Sequence, residues 1–179
     1  SYTPWHETRA IGAGSGPGLG RAPLQCRVPA PRLLTAGEAF EDLVFIGLDR
    51  LPGPGEEVKT DAFHATVGGG AVITAVGAAR LGVPTAVVSA LGDSAVRRLR
   101  AERVRVTNLK KPGEPHAISA ALSTATDRTF VTFNGVNTRL EPRLLRAVGA
   151  TARTTATHVH LALCPVDLDA WRRLITRLQ

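Results

Sequence analysis

A chain of 179 residues with 44% hydrophobic and 21% charged side chains has apolar mass for one folded domain, too little length for two ordinary ones, and a balance that argues against both a disordered polyelectrolyte and a membrane-embedded class. The formal charge of +7, from 22 basic against 15 acidic residues, is carried almost entirely by arginine, and it suits anionic sugar phosphates or nucleotides as well as nucleic acid. Cys26 and Cys164 lie far apart in sequence, so neither a disulfide framework nor a metal cluster is supported, and a reducing, cytoplasmic setting is expected.

Residues 1–32 hold the alternating-glycine segment IGAGSGPGLG, several prolines and a single acid, Glu7, against Arg9, Arg21, Arg27 and Arg32. This composition reads as a flexible Gly/Pro-rich tail, without the continuous apolar core of a signal peptide or the amphipathic helix of a transit peptide. The sequence contains no methionine, and its first residue is not expected to be a native initiation site.

From Leu33 the texture changes. LLTAGEAF is an apolar strand closing on Gly37 and Glu38, and LVFIGL, directly after Asp42, is a second β-prone run. LPGPGE over 51–56 is a turn by its proline and glycine content, and EVKTDAFHAT alternates apolar and polar side chains as a half-exposed strand does. A helix is predicted from about Ala71 to Leu81, stopped by Gly82 and, lacking a polar face, expected to be buried. PTAVVSALGD is a continuous β-branched run, the pattern of a strand covered on both faces in a parallel sheet, and HVHLAL over 158–163 reads the same way. Between these, AVRRLRAERV makes a short basic helix, HAISAALST and TFVTF make a hairpin around Ala125 to Arg128, and EPRLLRAVGATA makes another helix, with DLDAWRRLITRLQ helical at the end. Strands alternating with helices predict an α/β fold with a mostly parallel sheet.

Three features bear on chemistry. Asp42 is expected just past a strand end, where open α/β sheets place ligands and where a carboxylate accepts hydrogen bonds from two neighbouring hydroxyls. Gly68, Gly69 and Gly70 precede the small-residue helix, so a ligand can approach the backbone while the helix N-terminus supplies donors; a tight turn needing positive φ accounts more readily for one or two of these glycines than for three. No Gly-Lys-Ser/Thr follows and the dinucleotide spacing fails, so this is neither a P-loop nor a dinucleotide fingerprint. Arg97, Arg98, Arg100, Arg103 and Arg105 form the one concentrated basic patch of the folded part; with no aromatics interleaved they read as a solvated face. His64, His116, His158 and His160 lack companions at metal-ligand spacing and read as structural.

Gly37-Glu38 followed by Asp42, the glycine turn, and Ala79-Arg80-Leu81-Gly82 at the helix end together resemble the N-terminal half of a ribokinase-like (PfkB-type) carbohydrate kinase, over about Leu33 to Arg177. The resemblance implies a truncated ribokinase-like α/β domain over 33–179, with flanking helices and a small β-sheet lid whose strands span about 43–66 and 116–133. It also implies that Asp42 and the backbone of Gly68, Gly69 and Gly70 bind a sugar or nucleoside beneath the lid, with Phe133 on its apolar face. Ile73 occupies the position where the family carries an asparagine that contacts the sugar. Losing that contact costs about 1 to 3 kcal/mol for each hydroxyl left unpaired, so either the substrate is unusual or binding has decayed. Asn134, Gly135, Val136 and Asn137 resemble the G-x-N segment that follows the lid. The implied activity is transfer of the ATP gamma-phosphate to a sugar hydroxyl, with Mg2+, and the lid implies a possible homodimer. The G-x-G-D segment with its catalytic aspartate and the adenine-binding loops do not occur in these residues, so no catalytic residue is assigned and the chain alone is expected to be inactive. The alternatives are a non-catalytic sugar- or nucleoside-binding remnant and, less favoured, a basic nucleic-acid-binding module. A half-sheet also leaves an edge and an apolar face uncovered, so marginal stability or association is expected.

Overall fold

A computed structural model describes residues 32–179, the side chains of 153–155 excepted; the expected tail over 1–32 thus lies outside the described residues except for Arg32. Among the described residues eight strands and four helices follow in the order β1 (Leu33–Gly37), β2 (Phe40–Leu48), β3 (Ala62–Gly68), α1 (Gly70–Arg80), β4 (Thr85–Ser89), α2 (Asp93–Ala101), β5 (Arg105–Asn108), β6 (Ile118–Thr124), β7 (Arg128–Phe133), α3 (Glu141–Thr155), β8 (His158–Ala162) and α4 (Leu168–Leu178). A short 3-10 helix over Gly135–Arg139 joins β7 to α3.

Two sheets share the chain. The first is parallel, in the order β5-β4-β1-β8, and its crossovers run through the helices. The β-branched run of β4 is buried along its whole length, as a strand covered on both faces must be. One apolar core forms where α1 and α2 cover the sheet, through Ala71, Val72, Ala75, Ala95 and Leu99 against Val87. The other forms beneath α3 and α4, through Leu144, Val148, Trp171 and Leu174 against Leu34, Ala36 and Val88. The second sheet has the order β3-β2-β6-β7; its outer pairs are antiparallel and its central β2–β6 pair is parallel. The turn between β2 and β3 is closed by Glu56 N–H donating to the Gly53 carbonyl at 3.1 Å and by the Glu56 carboxylate, which pairs with Arg50.

Two expectations need correcting, and one strand is new. HVHLAL is not covered on both faces: β8 lies at an edge of the parallel sheet, and His158, Val159 and His160 are exposed there. α1 is not buried all round, since only Ala71, Val72 and Ala75 turn inward while Ile73 is 65% exposed. Its apolar outer face is therefore no sign of burial. β5 is not foreseen by pattern; its four residues Arg-Val-Thr-Asn are too short and too polar to stand out, and they are drawn into the sheet by pairing with Ala86 to Ser89. Among the described residues no helix is long and apolar enough to cross a membrane.

Candidate functional site

The carboxyl ends of β1 and β8 meet the turn between β3 and α1, and glycines let them meet. A Cβ on Gly37 would overlap the Ala162 carbonyl, to which Glu38 N–H donates at 3.2 Å. The three glycines of the turn each have a separate packing reason. A Cβ on Gly68 would overlap the Asp42 carboxylate; Gly69, at φ 101°, lies against the Glu38 carbonyl; and a Cβ on Gly70 would stand 2.9 Å from the Ala162 side chain. The third glycine, the one a turn alone explains least, is thus required by close approach to β8. α1 starts immediately after, with no side-chain cap and no acid in its first turn, so the positive end of its dipole and its first N–H groups are left open.

Asp42 lies inside β2 rather than past a strand end, because the strand begins at Phe40. The pairing register carries it into a polar row: Asp42 stands opposite Thr66 on β3 and Ser119 on β6, and Ser119 stands opposite Thr132 on β7. The Ser119 and Thr132 hydroxyls bond at 3.0 Å across that row. Burial pushes the Asp42 carboxyl above its ordinary pKa, and it does the same for Glu38, one residue after β1. Neither carboxylate meets a donor or a cation among the described residues. Two partly desolvated acids without partners therefore flank an uncapped helix start, an arrangement that costs stability unless hydroxyls or another donor complete it.

The other residues singled out from sequence divide. Ile73 stands one turn into α1, its N–H donating to the Gly69 carbonyl at 3.0 Å. With His64, Thr66 and Val76 it lines a groove of about 720 Å3 between β3, α1 and α2. Asp42 does not line that groove, although its neighbour in the row, Thr66, does. Phe133 is not on Asp42's face of the sheet: it pairs with Ile118, which pairs with Glu41, so it points the opposite way, and Thr132, Phe130 and Arg128 are the β7 residues that share Asp42's side. Sequence reading missed Thr66, Ser119 and Thr132. Strand alternation places each on a face, but only the register says which face.

Further contacts hold the second sheet to the body. His116 Nε2 lies 2.6 Å from Glu41 Oε2, and the Asn137 amide donates to the Ala39 carbonyl at 3.1 Å. Gly135, at φ 50°, tucks beneath the Pro115 and His116 carbonyls, which a side chain there would strike. Asn134 to Asn137 are thus a buttress at the base of the sheet. His160 Nε2 lies 3.3 Å from Thr74 Oγ1, and among the described residues no three His, Cys, Asp or Glu side chains are grouped to hold a metal.

A family profile described as pfkB family carbohydrate kinase matches residues 31–178. No curated protein matches the chain. Among solved structures, ribokinase from Giardia lamblia is similar at TM-score 0.69 and 19% identity, over 83% of this chain and 47% of its own. A carbohydrate kinase from Agrobacterium tumefaciens reaches TM-score 0.64 at 18% identity, over 83% and 51%. The nucleoside kinase of Methanocaldococcus jannaschii, an archaeal member of the ribokinase family, reaches 0.54 at 15% identity, over 84% and 58%. The fold is thus ribokinase-like, and the chain spans about half the length of the structures it matches.

Proposed function

Because the chain belongs to the pfkB family of carbohydrate kinases, we propose that it supplies the acceptor-binding part of an ATP-dependent sugar or nucleoside kinase. The observation that carries this reading is the half-buried, partnerless Asp42 carboxylate packed on Gly68, next to the uncapped start of α1. Asp42 accepts hydrogen bonds from two adjacent hydroxyls of the acceptor. The Gly68–Gly70 backbone allows that ring to approach closely, and the helix N–H groups meet a third oxygen. Thr66, Ser119 and Thr132 extend the polar face, so the second sheet acts as a lid whose inner row is hydrophilic near Asp42 and apolar farther out, at Val44, Ala121 and Phe130. Ile73 removes one polar contact and favours an acceptor with an apolar edge at that point.

MgATP supplies the phosphoryl group in such a reaction. The 179 residues contain no G-x-G-D segment whose aspartate would take the hydroxyl proton. The chain by itself therefore binds and orients an acceptor without phosphorylating it. A thermal-shift screen of pentoses, hexoses and nucleosides is expected to find a stabilising ligand whose effect is lost in Asp42→Ala. A screen without any such ligand sinks the binding reading. Turnover in a coupled ATP-consumption assay of the purified chain, with acceptors from the same panel, sinks the claim that it is inactive alone. The lid's outer face, with Phe45, Phe63, Val131 and Phe133, is the surface through which two copies would pair.

A further inference from the structure

On the face of the molecule covered by α3 and α4, a groove of about 510 Å3 runs between the two helices, and Arg146 of α3 and Arg173 and Arg177 of α4 line it. Its floor is narrow-waisted, because Gly149 lets α4 come close: a Cβ there would stand 3.2 Å from Leu174 Cδ1. Arg173 and Arg177 are one helical turn apart on the same side of α4, an i,i+4 pair of like charges that disfavours the helix. Among the described residues no carboxylate pairs with any of the three. The contrast with their neighbours is sharp. Arg172, one position away, pairs with Asp169 at 3.2 Å, and Arg143, one turn earlier on α3, pairs with Glu114. The acids of this face pair with Arg143 and Arg172, and the three exposed arginines that line the groove pair with none.

We propose that this α3–α4 groove is a binding site for a small oligophosphate anion, distinct from the acceptor site at Asp42 and independent of the kinase reading. Guanidinium forks match phosphate oxygens in pairs, and two packed helices carry three of them along one groove. The volume falls within the range of small-molecule sites. The lining, otherwise Leu145, Gly149, Ala150, Ala170 and Leu174, offers no aromatic ring on which a nucleobase could stack, so the anion itself and not a nucleic-acid strand is the occupant the groove fits.

The test is isothermal titration of the whole 179-residue chain with sodium tripolyphosphate at low and at physiological salt. Saturable single-site binding is expected, weakening steeply with salt, reduced about tenfold or more by Arg173→Gln with Arg177→Gln, and unchanged by Asp42→Asn. The unliganded double variant is expected to melt close to the parent, since both positions are exposed and the like-charge pair it removes offsets the loss of Arg177 from the last turn of α4. Absence of binding, binding that the double variant keeps, or tighter binding of single-stranded RNA than of tripolyphosphate would each overturn the proposal.

Discussion

Asp42 carries a stability cost that burial imposes on its carboxylate. Burial holds its carboxyl above the unfolded value, so folding takes up protons as pH falls; the ionised form costs the native state stability that returns only as pH drops through the folded pKa toward about 3.9. Asp42→Asn is therefore expected to melt higher than the parent at neutral pH, the gain vanishing in acid, while its affinity for the acceptor falls by a factor corresponding to about 1 to 3 kcal/mol. Melting curves across a pH series with and without ligand check both halves; a variant destabilised at neutral pH would mean that the carboxylate has a partner in the fold. Two glycines of the same region separate turn geometry from helix propensity. Gly69→Ala meets both a left-handed φ and the Glu38 carbonyl and is expected to lose more than about 1 kcal/mol, whereas Gly77→Ala, mid-helix in α1 with open space around it, is expected to gain roughly 0.5 to 1 kcal/mol. Urea denaturation of the two variants gives the comparison directly.

At the scale of elements, the connection between β5 and β6 is fastened to α3 by Glu114. Its carboxylate takes hydrogen bonds from Arg143 at 2.7 Å and from Lys111 N–H at 2.7 Å, and the arginine foremost holds its pKa down at about 2, against an ordinary 4.5. A lowered folded pKa contributes stability that is whole above 4.5 and fades as pH falls toward about 2. Glu114→Gln is accordingly expected to be less stable than the parent at neutral pH, with the gap closing over that acid window; a gap independent of pH would assign the loss to packing rather than charge. Elements with a strong pattern were legible from sequence: β4 from its β-branched run, and the β6–β7 hairpin from two β-prone runs around Ala125 to Arg128. Where pattern was weak or ambiguous, packing decided. α1 has no polar face to betray that half of it is exposed, and β5 becomes a strand only because β4 offers it an edge.

For the whole molecule, the division into a parallel sheet and a second, mixed sheet sets what this chain can do. It leaves Phe63, Val131 and Phe133 exposed on the face of the smaller sheet opposite Asp42. Side chains of that size in one patch favour self-association, since burying each aromatic removes a large apolar area from water. Analytical ultracentrifugation is expected to show concentration-dependent dimers that Val131→Lys converts to monomers, with the acceptor site intact because Val131 faces away from Asp42. A variant that dimerises unchanged would place any interface elsewhere.

The sequence alone determined the α/β class, the order of most elements and the pairing of Asp42 with the glycine turn, because these rest on local periodicity, on residues that only glycine can replace, and on a family motif that survives in short spans. The tertiary structure decided which side chains share Asp42's face, why a third glycine is needed, and which arginines lack acids. Those depend on strand register and on contacts between segments distant in sequence. A shift of one residue in pairing turns every side chain of a strand to the other side, and nothing local in Thr132 or Phe133 records which of them looks inward.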